Sequence, residues 1–489
     1  MNSLRPVAIT VVLANVALVS WLLLRDPASA PASGVGEALR PLVDDVTMDA
    51  AQYDLSARAS SLNVVLVSLD ALRFDRTGAS GNADGLTPNL DRFADEAVVF
   101  HDATAAAPWT VPSHMAVWTA RWPSIHGVTN KLKLLSQDQM VDAALSPGIE
   151  TFPDHLVRAG LVAAAFTGGA GVKASFGYGR GFDTYLDDRP FAGMDYSLPP
   201  ALDWLGKNRD RRFFLFLHGY DVHGQHPLLG LTPRDAVPDY QGTLDGSIEE
   251  QARLRELGLA AIQKPGDDAD LTGTLSAEDA RFLLAVYDRK VRQMDQHFGT
   301  FVAQLRALDL LDRSIIVVFS DHGEEFMEHK YIDHGATLCQ HQLHVPLMIR
   351  FPGYARRHDV KTPVRTIDIF PTIFDALDLA GPSGVDGRSL LPLLRGQPLD
   401  LPVYAETDYR LFVHRRMARA DTRKLLLDLE DGQRELFDLA ADPGETRDLS
   451  SSEARAAYEL EQALRGWMER TRTNPQDYLG IRQTPIALF

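Results

Sequence analysis

The groups best equipped for chemistry in this 489-residue chain are a hydroxyl, two carboxylates and several imidazoles placed beside apolar runs. Thr110 stands two residues before Pro112 in the stretch 107–127, APWTVPSHMAVWTARWPSIHG. The apolar residues Met115, Val117 and Trp118 read as one helix. Pro112 suits its first turn, where a missing N–H costs nothing, and the helix is expected to stop at Trp122, because a residue before proline is driven out of the α region. Thr110 is therefore expected just ahead of a helix N-terminus, where free N–H groups and the helix dipole favour an anion. Asp70 ends the run NVVLVSL of residues 63–69, and Asp321 with His322 follows IIVVFS of residues 315–320. Ligands gather at the carboxyl ends of strands in open α/β sheets. Two strand-end acids, one followed by His-Gly, beside the Thr110 element point to a metal site.

The elements that must position these groups alternate between strand and helix. Residues 63–69 have no polar face, as a strand buried on both sides requires. Thr87-Pro88-Asn89 reads as the cap of a helix whose Leu90, Phe93, Ala94, Ala97 and Val98 fall on one face. Residues 152–159 read as a helix, 161–166 and 213–217 as strands, 277–308 as a long amphipathic helix, and 315–320 and 345–350 as strands before a helix at 369–379. Between 228 and 275 lies a polar insertion with a helical piece near 248–261. This alternation predicts an α/β fold, a doubly wound, mostly parallel sheet flanked by helices. From 399 onward, short strands at 403–406, 417–421, 424–429 and 435–438, with Glu430-Asp431-Gly432 as a hairpin tip, predict a small antiparallel subdomain closed by a helix at 450–470.

Thr110-Val111-Pro112-Ser113-His114, followed by Thr119-Ala120-Arg121-Trp122-Pro123, resembles the signature of the sulfatase branch of the alkaline phosphatase superfamily. That signature is Cys or Ser, any residue, Pro, Ser or Ala, Arg, then a helix ending near Thr-Gly-Arg-x-Pro. The likeness runs in consistent order from about 63 to 449 and includes Glu435-Leu436-Phe437-Asp438 and Asp442-Pro443-Gly444-Glu445 in the expected C-terminal subdomain. It implies an ester hydrolase with a covalent intermediate and a metal held by Asp70, Thr110, Asp321 and His322. The set suits one divalent ion, because Ala71 stands where a further family aspartate would follow Asp70. Mixed oxygen and imidazole donors fit Ca2+, Mn2+, Mg2+ or Zn2+ alike.

Two departures bear on the chemistry. The family nucleophile is usually a formylglycine made from Cys or Ser, whereas oxidation of a threonine secondary alcohol gives a ketone; the Thr110 hydroxyl is expected to act unmodified. A cation on its oxygen would stabilise the alkoxide and polarise an anionic ester together. His114 replaces the family arginine and is a candidate substrate contact. The stretch after residue 166, Thr167-Gly168-Gly169-Ala170-Gly171-Val172-Lys173, lacks the Gly-Lys-Trp-His that contacts sulfate in arylsulfatases, leaving Lys173 as a candidate replacement. His218 and His223, in LHGYDVHGQHP, and His334, in Asp333-His334-Gly335, are candidates for oxyanion contacts and leaving-group protonation, for which imidazole is suited near neutral pH.

Composition is that of a globular protein, 45% hydrophobic and 24% charged, and a formal charge of −17 argues against nucleic acid as main partner. One cysteine excludes an internal disulfide. Residues 7–24 are almost wholly apolar between Arg5 and Arg25, and as a helix would span about 27 Å at 1.5 Å per residue. The expected order is a transmembrane anchor or signal segment over 1–25, a linker over 26–60 with a short helix near 36–43, a catalytic domain over 61–398, the C-terminal subdomain over 399–475 and a tail over 476–489. The catalytic domain is then expected outside the cytoplasm, held to the membrane by the N-terminal helix or secreted if that segment is cleaved. The expected substrate is an anionic ester, a sulfated or phosphorylated glycan, lipid or small molecule. Two rival readings are a membrane transferase moving a phosphoalcohol group onto envelope glycans or lipids and a non-catalytic glycan-binding pseudoenzyme.

Overall fold

Seven residues with no polar face, Asn63–Leu69, form β1, and every one of them is buried. Its neighbours are β7 (Phe213–Gly219) on one side and β8 (Ser314–Phe319) on the other, both parallel to it. β5 (Val162–Phe166) and β6 (Thr184–Leu186) extend the sheet in parallel beyond β7. Beyond β8 lie β11 (His344–Arg350) and then β2 (Val98–Thr104), β11 running antiparallel to both. β12 (His358–Val360) and β13 (Val364–Arg365) pair with β2 at that edge. Smaller pairs are β3 (Leu132–Ser136) with β4 (Gln139–Asp142), and β9 (Glu325–Phe326) with β10 (Ile332–Asp333). In this computed structural model the described residues are 55–136, 139–224, 233–262, 270–354, 356–410 and 413–473.

Alternate residues of the central strands feed two cores. Val64, Leu66, Phe214, Phe216, Ile315 and Val317 point to one face, with Trp118 and Phe370. Val65, Val67, Phe213, Leu215, Ile316 and Val318 point to the other, against Met294, Phe298 and Phe301. The latter three lie on helix Ala277–Ala307, whose start is fixed by a capping box between Ser276 and Asp279. Burial on both faces is what removes any polar face from β1, β7 and β8.

The second sheet is antiparallel throughout: β14 (Val403–Tyr409), β15 (Val413–Ala420), β16 (Arg423–Asp428) and β17 (Arg434–Asp438), in that order. Helix Ala454–Arg470 packs on it through Ala457, Leu460, Leu464 and Trp467.

Several boundaries differ from the sequence reading. Helix Pro88–Ala94 ends before Ala97 and Val98, and Val98 opens β2; the β-branched pair Val98-Val99 favours extended backbone over a last helical turn. The Thr110 helix ends at Thr119, short of Trp122. Ala120 caps it in the left-handed region at φ 48°, and its carbonyl takes the N–H groups of Asp386 and Gly387. β7 runs on through His218, which was expected after the strand. The closing helix starts at Ala454 rather than 450. The apolar run 7–24, the helix expected at 36–43 and part of the 228–275 insertion lie outside the described residues; among those described, no helix is long and apolar enough to cross a membrane.

Candidate active site

β1 and β8 deliver their acids to one point. Asp70 is held at the end of β1 by its N–H on the Gly219 carbonyl of β7, 3.3 Å away. The next residue, Ala71, has φ 61°, a conformation a non-glycine residue seldom adopts. Tyr287 locks it from both sides, donating to Ala71 O at 2.7 Å and accepting from Arg73 N at 2.8 Å. Ala71 N in turn reaches Asp321 Oδ1 at 3.3 Å, so the turn after β1 is tied to the acid after β8.

Thr110 is the first helical residue rather than the one before it; Trp109 occupies the cap position, and no side-chain capping bond is made there. The Thr110 hydroxyl is thus left to the acids: Oγ1 lies 3.4 Å from Asp70 Oδ2 and 3.4 Å from His322 Nε2. His322 Nδ1 donates to the Gly323 carbonyl at 2.8 Å, which leaves the lone pair of Nε2 facing Thr110. Ser113 of the same helix donates to Asp321 O at 2.6 Å, fixing helix and β8 end together.

Asp70, Asp321 and His322 are wholly buried, and their donor atoms lie within 4.8 Å of one another. Asp70 Oδ1 and Asp321 Oδ2 have no hydrogen-bond partner among the described residues; their contacts are ion pairs, Asp321 Oδ2 with His114 Nδ1 at 3.1 Å and His322 Nε2 at 3.5 Å, and Asp70 Oδ1 with His322 Nε2 at 3.9 Å. Burial, then the charge of Asp321, pushes the Asp70 carboxyl well above the usual range. Burial acts on Asp321 in the same sense, but His322 and His114 outweigh it and hold that carboxyl low. Orphaned oxygens and an acid whose ionisation burial opposes mark a pocket short of positive charge, which one divalent cation on Asp70, Asp321, His322 and Thr110 would supply. The residues therefore fit the group.

The remaining histidines divide into two tiers. His114 and His218 lie beneath the acids, both fully buried. His114 Nδ1 faces Thr110 O at 3.1 Å as well as Asp321, and its Nε2 meets Ser68 Oγ at 2.8 Å; burial alone would lower its pKa, but Asp321 and Asp70 raise it. His218 Nδ1 accepts from Gly168 N at 3.4 Å, which turns its Nε2–H toward Asp70 Oδ2 at 3.3 Å. Burial and the neighbouring His114 lower the His218 pKa to about 3, so this ring is neutral. His223 and His334 form the upper tier. The His334 ring stacks on His322 with centroids 4.3 Å apart and lies 4.8 Å from His223. Its Nδ1 is 3.1 Å from Glu324 Oε1 and 3.0 Å from Asp333 Oδ1, and these two carboxylates overcome burial to raise its pKa well above that of a free imidazole. Burial and His334 lower His223.

Lys173 is exposed, just past the 3-10 turn Ala170–Val172. That turn does touch Thr110: a Cβ on Gly171 would sit 2.8 Å from Thr110 Cβ and Cγ2. Residues that sequence reading did not single out complete the surroundings. Tyr220 accepts from Gly171 N at 2.8 Å and donates to Gly169 O at 3.2 Å, and its ring packs 4.6 Å from His218 and 5.2 Å from His223. Lys290, buried, donates to the His223 carbonyl at 3.1 Å. Lys131 holds its ammonium 5.7 Å from the Phe191 ring, which lies 5.3 Å from His223. Tyr220 and Glu324 each stand two positions after a chosen histidine, His218 and His322, which is the one available signal.

A parallel-dominated sheet carrying a hydroxyl helix and strand-end acids at one edge is the architecture of alkaline phosphatase-like ester hydrolases. The chain belongs to the sulfatase family of sulfuric ester hydrolases: the sulfatase profile matches residues 62–379, and that of "N-sulphoglucosamine sulphohydrolase, C-terminal" matches 327–474. Arylsulfatase K of Danio rerio is 22% identical over 480 residues, covering 86% of this chain and 88% of its own; that of Mus musculus is 30% identical over 210 residues, covering 40% and 37%. The delta 4,5-hexuronate-2-O-sulfatase of Bacteroides thetaiotaomicron is 23% identical over 419 residues, 79% of this chain and 84% of its own. Among solved structures, a 2-O GAG sulfatase superposes with a TM-score of 0.68 at 20% identity, covering 85% of this chain and 94% of that one. The phosphonate monoester hydrolase of Agrobacterium radiobacter gives 0.64 at 20% identity, covering 84% and 96%. At these identities the structural likeness speaks to the fold.

Proposed function

We propose that the protein hydrolyses anionic sulfate or phosphate esters through the unmodified hydroxyl of Thr110. One observation carries the reading: Thr110 Oγ1 sits 3.4 Å from both Asp70 Oδ2 and His322 Nε2, beside carboxylate oxygens that have no hydrogen-bond partner. Sulfatases as a family are generally metal-dependent, and a divalent ion held by Asp70, Thr110, Asp321 and His322 would supply the positive charge that lowers the cost of ionising the hydroxyl and of bringing in an anionic ester.

The chain's own groups divide the remaining work. The Thr110 hydroxyl passes its proton toward Asp70 Oδ2, and its oxygen attacks sulfur or phosphorus, forming an ester on Thr110 as the bond to the leaving alcohol breaks. His218, neutral and donating to Asp70, and His114, against Asp321, keep the two acids in place. His334, an imidazolium between Glu324 and Asp333, protonates the departing alkoxide. Water then attacks the Thr110 ester, giving a proton to His334 as the bond to the Thr110 oxygen breaks; hydrogen sulfate or hydrogen phosphate leaves, and Asp70 returns its proton to Thr110. In this reading His223 and Lys131 meet the outer oxygens of the substrate, and the exposed Lys173 is a further cation for its charge. Of the related proteins named above, one is a hexuronate-2-O-sulfatase, one a 2-O GAG sulfatase and one a phosphonate monoester hydrolase, which supports an anionic ester substrate without choosing its leaving group. The apolar run 7–24 supports an anchored or exported enzyme. Assay of sulfate monoester, phosphate monoester and phosphodiester chromogens, wild type against Thr110→Ala, tests the reading: turnover of at least one that vanishes in the variant supports it, and equal turnover of both proteins refutes it.

A further inference from the structure

The hairpin β9–β10 is flanked by Glu324 and His334 and carries Asp333, and a second set of donors joins its turn, which holds His329, to the start of helix Gln340–Leu343, which brings Cys339 and His341. His329, Cys339 and His341 offer two imidazoles and a thiol whose donor atoms lie within 4.8 Å of one another. Cys339 is the one cysteine of the chain and is 3% exposed. Its sulfur accepts from Thr337 Oγ1 at 3.3 Å. Nδ1 of His341 is buried and has no hydrogen-bond partner among the described residues. His329 is oriented by a carboxylate: its Nδ1 meets the wholly buried Glu325 at 2.8 Å, and Glu325 is itself held by Thr337 and Gln342. Nε2 of His329 then rests on the Gly444 carbonyl at 3.0 Å.

An imidazole that donates one N–H to a buried carboxylate and offers its other nitrogen to an ion is the usual arrangement around a bound metal; His329 has the carboxylate half in place, with Nε2 held by the Gly444 carbonyl until an ion takes it. A thiolate with two imidazoles prefers a softer ion than a carboxylate-rich site does. We propose that Cys339, His329 and His341 form a second divalent-metal site, with Zn2+ its preferred ion and water its fourth ligand. Ligand distances of about 2.3 Å to sulfur and about 2.0 Å to nitrogen place tetrahedral donors about 3.5 Å apart, the spacing the cluster takes up on binding. Two protons leave to solvent, that of the Cys339 thiol and that of His329 Nε2, which turns from the Gly444 carbonyl to the ion; no oxidation is involved. His341 and His329 are partly exposed, which gives the ion and its water a way in. The site braces the His334 hairpin against helix Gln340–Leu343, whose first N–H is taken by Glu445 next to Gly444. This site is independent of the reaction proposed for Thr110.

With a single cysteine, the thiolate-to-Co2+ charge-transfer absorption in the near ultraviolet reports on Cys339 alone. The full chain is stripped with chelator and titrated with Co2+ alone. The wild type is expected to show the band and to retain one more Co2+ per chain than Cys339→Ser, which lacks the band. Asp321→Asn, altered at the other centre, is expected to keep it. His341→Gln leaves the thiol in place and is expected to raise the Co2+ concentration at half-saturation of the band at least tenfold, and it carries the test if Cys339→Ser does not fold. Absence of the band in the reloaded wild type, or an unchanged titration in His341→Gln, would overturn the proposal, leaving His329 as a cation bridging Glu325 and the Gly444 carbonyl.

Discussion

Nε2 of His218 lies 3.3 Å from Oδ2 of Asp70, the same oxygen that takes the hydrogen bond of Thr110 at 3.4 Å. A neutral ring inside β7 thereby aims an acid at the end of β1 toward a hydroxyl on a third element. Removing such an orienting partner typically lowers metal affinity or activity about 10- to 100-fold. His218→Ala is expected to show that loss, with the metal concentration for half-maximal activity raised; His218→Asn, which keeps an N–H donor, is expected to recover part of it. Unchanged metal dependence in His218→Ala would rule out the orienting role.

The imidazolium of His334 sets a pH limit. Its folded pKa is raised above the unfolded value of about 6.5, so its ion pairs with Glu324 and Asp333 contribute stability in full below that value, and the contribution is lost as pH rises through the folded pKa. The acid needed by the leaving group disappears over the same upper range. Glu324→Gln removes one of the two carboxylates, and the alkaline limb of kcat/KM is expected to move to lower pH. A limb that stays in place assigns the proton to another group.

Gly171 leaves no room for a side chain. Its Cβ would approach Thr110 Cβ and Cγ2 to 2.8 Å and Tyr220 Oη to 3.0 Å. Gly171→Ala is expected to cost about 1–3 kcal/mol of stability through overpacking and to lower kcat by displacing Thr110. Calorimetry and steady-state kinetics check both; wild-type kcat would show that the loop yields without moving the nucleophile.

Removal of the active-site ion should cost stability as well as activity. A ligand bound only by the folded state adds about 2.7 kcal/mol at 100 times its Kd, and here it would also relieve two buried carboxylates. Thermal unfolding in chelator is expected at lower temperature than in divalent metal, with a smaller difference in Asp321→Asn. An equal difference in that variant would place the stabilising ion elsewhere.

The parts of this site legible in sequence were those fixed by the sheet. Asp70 and Asp321 could be found because β1 and β8 are unbroken apolar runs whose ends are sharp. Edge and antiparallel elements left weaker marks: β2 reads Val-Val-Phe-His-Asp-Ala-Thr, with His101 and Asp102 half-buried, and its start was absorbed into the preceding helix. The direction of β11 could not be read either, since HVPLMIR is as apolar as a parallel strand. His114, chosen as a substrate contact because it replaces an arginine, lies under Thr110 against Asp321. No periodicity separates a ring above the acids from one below them. Tyr220 was passed over because its partners, Gly169 and Gly171, come from a loop some 50 positions away.

The central claim is that Thr110 carries the transferred group. Thr110→Ala removes a buried hydroxyl that makes no capping bond and lies 3.4 Å from Asp70 and His322, so the cost in stability is expected at about 1–3 kcal/mol, while turnover is expected to fall by at least about 10³-fold, near 4 kcal/mol in the barrier. Thr110→Ser should retain part of the rate. The most direct measurement is mass spectrometry of the wild type quenched during turnover of a slow ester: the expected result is a sulfuryl or phosphoryl adduct on the peptide containing Thr110, absent from Thr110→Ala. Turnover with no adduct on that peptide, together with near wild-type activity in Thr110→Ala, would contradict it.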